Sequence, residues 1–154
     1  MADTTQIDAL NNRLRHHGAT DVLRAAFEAV PNLALVSSFG AESVVLLHLA
    51  SMIKRDVEVV FIDTEMLFPE TLIYQQDVAE RLRLKNLRII RAGNLKRLDP
   101  AGDLHKRDKD ACCDLRKTQP LQLALTGYEG WITGRKRYQS GRRAHLEFLS
   151  LIHI

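Results

Sequence analysis

A chain of 154 residues is long enough for one hydrophobic core and too short for two, so a single domain is expected. Apolar residues at 45% and charged residues at 27% are ordinary for a globular protein. No apolar run approaches the ~20 residues of a membrane helix and no signal-peptide pattern opens the chain, which argues against a membrane partner and makes a cytoplasmic location the expectation.

The net charge of +3 is unevenly spread: residues 91–143 hold 13 Lys and Arg against 6 Asp and Glu, whereas residues 1–90 hold 9 against 12. The second half therefore calls for an anion, or is a solvated basic face. Aromatic residues are few and no nucleic-acid module is recognisable, so a small phosphorylated or sulfated ligand is expected rather than nucleic acid. The two cysteines are adjacent, which supplies no disulfide framework and suits a reducing compartment.

In chain order, Ile7, Leu10 and Leu14 form a helical stripe over residues 4–15, and Val22, Leu23, Ala26, Phe27 and Val30 form another over 19–30. Pro31 and Asn32 break that helix and admit a strand at 33–36. The segment Ser37-Ser38-Phe39-Gly40-Ala41-Glu42-Ser43 follows, and a helix is predicted over 43–54, with His48 packed on its apolar side. A strand-to-helix turn of this kind can offer backbone N–H groups and the helix dipole to an anion such as a nucleotide phosphate. It can equally be an ordinary turn in which Ser38 caps the helix and Glu42 or Ser43 closes a capping box.

Residues 57–62, VEVVFI, form a continuous apolar run suited to a buried parallel strand. It ends at Asp63 and Thr64, which either open a turn or lie beside the first loop, across the switch point of a doubly wound sheet. Pro69 starts a helix running to about residue 84, and residues 87–91 give a third strand. Residues 92–110 show no convincing periodicity, which leaves a mobile substrate loop or an unrecognised short helix. Residues 110–125 are helical in pattern up to Pro120, Gly127 ends them, and residues 130–134 form a fourth strand.

Four blocks carry a family resemblance. The loop at 38–43 resembles the S-G-G-x-D-S loop of the PP-loop family, with Phe39 and Glu42 at its second and fifth places. Together with DTEMLFPETL, DACCDLRKTQPL and WITGRKRYQSGRRA, in that order across residues 37–144, it resembles the nucleotide-binding part of assimilatory adenylyl-sulfate reductases within the phosphoadenylyl-sulfate and adenylyl-sulfate reductase family. The resemblance implies an α/β fold, a doubly wound parallel sheet of the adenine nucleotide alpha-hydrolase-like (PP-loop) type. It implies a substrate site at Ser37, Ser38, Phe39, Gly40, Glu42, Ser43, Asp63, Thr64, Arg116, Lys117, Gly134, Arg135 and Arg143. Glu65 stands where glycine is common after the Asp-Thr pair.

The activity implied is thioredoxin-dependent reduction of adenylyl sulfate to sulfite and AMP, with homo-oligomerisation allowed. The adjacent pair Cys112 and Cys113 is similar to the pair by which adenylyl-sulfate enzymes ligate a 4Fe-4S cluster. Such a cluster usually takes four thiolates, and the chain has two; buried helical thiols or a strained bond between neighbours would also account for them. Arg116 and Lys117 suit an oxyanion, the guanidinium as a bidentate donor and the ammonium as a point charge, or a solvated helix edge. The cysteine that attacks sulfur in the family has no counterpart here, so the chain is expected to be an inactive fragment: a nucleotide-binding domain over residues 1–148. Residues 149–154, LSLIHI, match an in-frame translation of a sequencing adapter and are set apart from the fold. Other readings are a phosphoadenylyl-sulfate reductase, a PP-loop ATP pyrophosphatase or sulfurylase-like enzyme, and a silent adenine-nucleotide-binding module.

Overall fold

The structure, a computed structural model, describes residues 3–135 and 141–151. Residues 136–140 of the basic motif and 152–154 of the terminal hexapeptide lie outside the described residues.

Four strands form one parallel sheet: β1 (Leu33–Val36), β2 (Glu58–Ile62), β3 (Asn86–Ile90) and β4 (Gly130–Thr133), in the order β3-β2-β1-β4. The helices α1 (Thr4–Leu14), α2 (Ala19–Ala29), α3 (Ser43–Ile53) and α4 (Pro69–Arg81) begin and end within about three residues of their expected positions. Alternation along the strands divides the core in two. Leu35, Val59 and Phe61 face one side and pack with Leu47 and Ala50 of α3 and Val78 of α4, while Phe27 of α2 borders the same cluster. Ala34 and Val60 face the other side and meet Ala124 and Leu125 of α8 (Gln119–Leu125). A sheet covered on both faces explains why β1 and β2 read as unbroken apolar runs.

Residues 92–110 are not a structureless loop. They contain two four-residue helices, α5 (Leu95–Leu98) and α6 (Leu104–Arg107), each too short to leave a periodic signature. The helical stretch expected at 110–125 is a chain of three pieces: α7 (Lys109–Cys113), a π-helical turn (Asp114–Thr118) and α8. Pro120 falls in the first turn of α8, where its missing N–H costs least, so the helix continues past it. His48 is exposed rather than packed. Leu149, from the segment expected to stand apart, is held at both its N–H and its carbonyl by the Asn11 carboxamide.

Strand order also corrects one expectation about the site. The sequence placed Asp63 and Thr64 across the switch point from the first loop, but the order reverses between β1 and β4. The segment across the crevice from residues 37–43 is therefore Gly134 and Arg135, and Asp63 lies on the near side, after β2.

Candidate functional site

The first loop is built on an inverted glycine pattern. Phe39, not Gly40, takes the left-handed conformation, with φ of 55°, and its ring turns into the core, 1% exposed, edge-on to Phe61 at 5.4 Å. A Phe at positive φ is strained, and burial of the ring between the helices and sheet holds it there. Its N–H donates to Ser37 Oγ at 3.1 Å, while Ser37 N–H bonds the Val60 carbonyl at 3.0 Å and ties the loop to β2.

Ser38, Gly40 and Glu42 are exposed, and Ser38 Oγ and Ser43 Oγ lie 3.5 Å apart. Among the described residues, a Cβ on Gly40 would meet only those two hydroxyls, at 3.6 and 3.9 Å, so the glycine keeps the space between them clear without being forced by φ. The expected cap by Ser38 is not formed: Glu42 is the N-cap residue, and among the described residues no side chain caps α3. The Ser43 N–H bonds the Gly40 carbonyl at 2.9 Å, and the N–H groups that follow it at the start of this 11-residue helix have no side-chain acceptor among the described residues. Gly134 closes the far side; a Cβ there would come within 3.3 Å of Leu46 of α3.

The loop after β2 repeats the glycine inversion. Glu65 adopts φ of 59° at an exposed position, and Asp63 Oδ1 accepts its N–H at 2.8 Å. Asp63 Oδ2 pairs with Arg91 Nε at 2.9 Å, so both oxygens of this buried carboxylate bond within the protein.

A second group of residues converges on a cleft of about 370 Å³ lined by Thr64, Met66, His105, Lys109, Cys112, Cys113, Arg116 and Lys117. Five of these were singled out from sequence: Thr64, Cys112, Cys113, Arg116 and Lys117. Residues 109, 112, 113, 116 and 117 share one face of the α7 and π-turn segment. Ser37 to Ser43, Asp63, Gly134 and Arg135 do not line this cleft; they belong to the neighbouring loops on the same carboxyl edge of the sheet. Arg143 lies in a 3-10 turn (Gly141–Arg143) and is not among the cleft residues.

Arg116 differs most from its expected role. Its side chain is 7% exposed; Nη2 donates to Asp99 Oδ2 at 2.7 Å and Nη1 to the Thr64 carbonyl at 2.8 Å. The fork that should grip a ligand oxyanion is occupied by the protein. Among the described residues, Arg116 Nε and His105 Nδ1 are buried without a partner. Asp99, which the sequence did not single out, has no exposed side-chain surface, and its Oδ1 accepts the N–H groups of Asp103 and Leu104. The Arg116 hydrogen bond holds its carboxyl below the ordinary carboxylate value, against the upward push of burial. Lys117 is thus left as the cationic side chain of the pair available to the cleft.

Cys112 is buried and Cys113 exposed, both as free thiols. Among the described residues, no group of three or more His, Cys, Asp or Glu side chains could hold a metal ion. Two thiolates are half the donor set of a 4Fe-4S cluster, and the sequence has no other cysteine, so the residues present do not fit a complete cluster.

The phosphoadenosine phosphosulfate reductase domain model matches residues 32–152. The chain belongs to that family. It is 37% identical to the adenosine 5'-phosphosulfate reductase of a Chelativorans species, over 94% of this chain and 60% of the relative. It is 45% identical to the enzyme of the same name from Mesorhizobium japonicum, over 74% and 46% respectively. A crystal structure of phosphoadenylyl-sulfate reductase from Candida auris, a phosphate complex, superposes with a TM-score of 0.76 at 29% identity, covering 88% of this chain and 69% of that one. The chain thus spans about half to three-fifths of the length of these curated relatives. The parallel sheet and this likeness bear out the expected PP-loop-type α/β fold. No helix among the described residues is long and apolar enough to cross a membrane.

The positive-φ residues of these two loops, Phe39 and Glu65, should respond oppositely to glycine. Glu65→Gly relieves an exposed left-handed residue and should stabilise the fold by about 0.5–1 kcal/mol in urea unfolding. Phe39→Gly relieves the same strain but empties a core site, and should cost roughly 3–5 kcal/mol. A gain in both variants would show that the Phe39 ring contributes no packing.

Asp99 gives a pH prediction. Because its folded pKa is lowered, ionised Asp99 favours the folded state above its ordinary value and loses that contribution as pH falls toward the folded one. The stability gap between the wild type and Asp99→Asn should be widest near neutrality and narrow below about pH 4. A gap independent of pH would mean that the Asp99 carboxylate is not the group that pairs with Arg116.

Proposed function

We propose that the chain is the nucleotide-binding part of an adenylyl-sulfate reductase, a single domain over residues 1–148, and that its substrate is adenylyl sulfate. The observation that carries this reading is the meeting of Thr64, Cys112, Cys113 and Lys117 on one cleft beside the start of α3, which no described side chain caps. The α3 N-terminus, with Ser38, Gly40, Glu42 and Ser43, would hold the phosphate end through backbone N–H groups, with Gly134 and Arg135 opposite. Asp63 and Thr64 would border the nucleotide. Lys117 would neutralise the sulfate end, and Arg143 would add positive charge. Arg116 contributes by holding the cleft wall, and Phe39 by holding the loop from beneath.

In the reaction proposed for the whole protein, a thiolate attacks the sulfur of adenylyl sulfate. A sulfur–sulfur bond forms as the sulfur–oxygen bond to AMP breaks, and AMP leaves with the electron pair. A dithiol reductant, thioredoxin in this reading, then attacks the enzyme's sulfur of that new bond, releasing sulfite and ending as a disulfide after the second exchange. Cys112 and Cys113 are assigned to a cluster site rather than to this attack, as two of its four ligands. A cytoplasmic setting and a homo-oligomeric whole protein belong to the same proposal.

Phosphoadenylyl sulfate is the second substrate considered, because the Candida auris structure carries that name at a TM-score of 0.76. Titration calorimetry on the 154-residue chain should give tighter binding of adenylyl sulfate than of its 3'-phosphorylated form, and Lys117→Ala should weaken it roughly tenfold, the scale of one charge-assisted hydrogen bond. Incubation with adenylyl sulfate and reduced thioredoxin should yield no sulfite above background, and anaerobic reconstitution little cluster per chain. Release of pyrophosphate from ATP would instead favour a PP-loop adenylating enzyme, and sulfite formation surviving replacement of both cysteines would overturn the mechanism.

A further inference from the structure

The cleft has three walls: the loop at Thr64 and Met66, distant in sequence from the others, helix α6 with His105, and the face formed by α7 and the π turn. One group joins all three. Arg116 lies in the π turn, donates across to the Thr64 carbonyl, and pairs with Asp99; Asp99 in turn accepts Asp103 N–H at 3.0 Å and Leu104 N–H at 3.1 Å, the entry to α6.

A π-helical turn is rare and poorly self-supporting, because its wider ring sacrifices packing along the helix axis. Inserted between α7 and α8, it sets the rotation of Cys112 and Cys113 relative to the rest of the segment. It therefore needs an anchor outside itself, and the guanidinium supplies one. Such an anchor holds direction only if its own partner is fixed. Asp99 is fixed by backbone donors on one oxygen and by Arg116 on the other, with no solvent to compete.

We infer that Asp99 is a positioning residue of the cleft: acting through Arg116, it fixes the π turn and thereby the directions in which Cys113 and Lys117 enter the site. It touches no ligand itself. Asparagine at 99 keeps the shape, but its single oxygen, if it accepts the two amide hydrogens, leaves an NH2 donor facing the Arg116 Nη2 donor, so the anchor slackens while the fold persists. The ligand-binding half of this inference rests on the cleft being the adenylyl-sulfate site, whereas the thiol geometry does not.

The test uses the 154-residue chain and Asp99→Asn, each well below its unfolding midpoint, with circular dichroism as the check on folding. In the wild type one thiol, Cys113, should react quickly with a disulfide reagent such as 5,5'-dithiobis(2-nitrobenzoate), and Cys112 only slowly. In Asp99→Asn both should react quickly, and the dissociation constant for adenylyl sulfate should rise roughly tenfold. One fast thiol together with unchanged affinity in a folded Asp99→Asn overturns the inference. If the wild type binds no adenylyl sulfate, the functional reading fails, and the thiol count alone decides the role of Asp99.

If Asp99→Asn does not fold, amide hydrogen exchange on the wild type decides. Adenylyl sulfate should slow exchange at Asp103 and Leu104 together with residues 114–118. Slowing of 114–118 with Asp103 and Leu104 unaffected overturns the inference, as does slowing of neither when calorimetry shows the ligand bound.

Discussion

The ion pair between Arg116 and Asp99 is the interaction on which the architecture of the site depends. Removing two charges from water is expensive, and such a pair persists only where geometry is good and the remaining hydrogen-bonding capacity is met. Here the carboxylate meets those terms, with two backbone N–H groups on one oxygen and the guanidinium on the other. The guanidinium meets them less fully, because Nε is left buried without a partner among the described residues. What the arrangement provides is connection: it holds two short helices and a π turn, none of which would be stable alone, against a loop of the central sheet.

Beneath this tie, the parallel sheet decides where an anion can go. Every strand points its carboxyl end to the same edge, and the order β3-β2-β1-β4 opens a crevice between β1 and β4 at that edge. The start of α3 meets the crevice with backbone donors and, among the described residues, no side-chain cap, while the loop after β2 turns toward the cleft with the cysteines. The site is therefore divided by chemistry. One half offers backbone dipoles, which favour a phosphate held close; the other offers Lys117, whose charge acts at longer reach.

Much of this was legible in the sequence, and the parts that were not share a cause. The run Leu33 to Val36 is apolar, and Pro31 and Ser37 bound it, so its limits could be read directly. Five of the eight cleft residues could also be named, the cysteine pair and the Arg-Lys pair from the resemblance carried by DACCDLRKTQPL and Thr64 from its place at the end of a buried strand. Four-residue helices leave no period, so α5, α6 and the Asp99 they enclose stayed hidden. Strand order is a long-range property that alternation does not encode, and the switch point was accordingly set on the wrong side of β1. Arg116 was read as a donor to a ligand oxyanion, but a guanidinium recognises a carboxylate of its own chain as well, and only burial distinguishes the two.

Phe39 and Glu65 extend the same argument from side chains to backbone. Both stand where the family resemblance places glycine, and both keep the left-handed conformation that glycine would adopt freely. The backbone path of each loop is thus retained although the residue type that makes it easy is not. Each loop offsets the strain differently: Phe39 by burying its ring against Phe61, Glu65 by an N–H bond to Asp63, whose other oxygen is held by Arg91. Strain of this kind persists only where the surroundings over-determine it. Its occurrence in both loops that border the carboxyl edge of β1 and β2 marks the path of the backbone there, more than the identity of its side chains, as the feature the fold maintains.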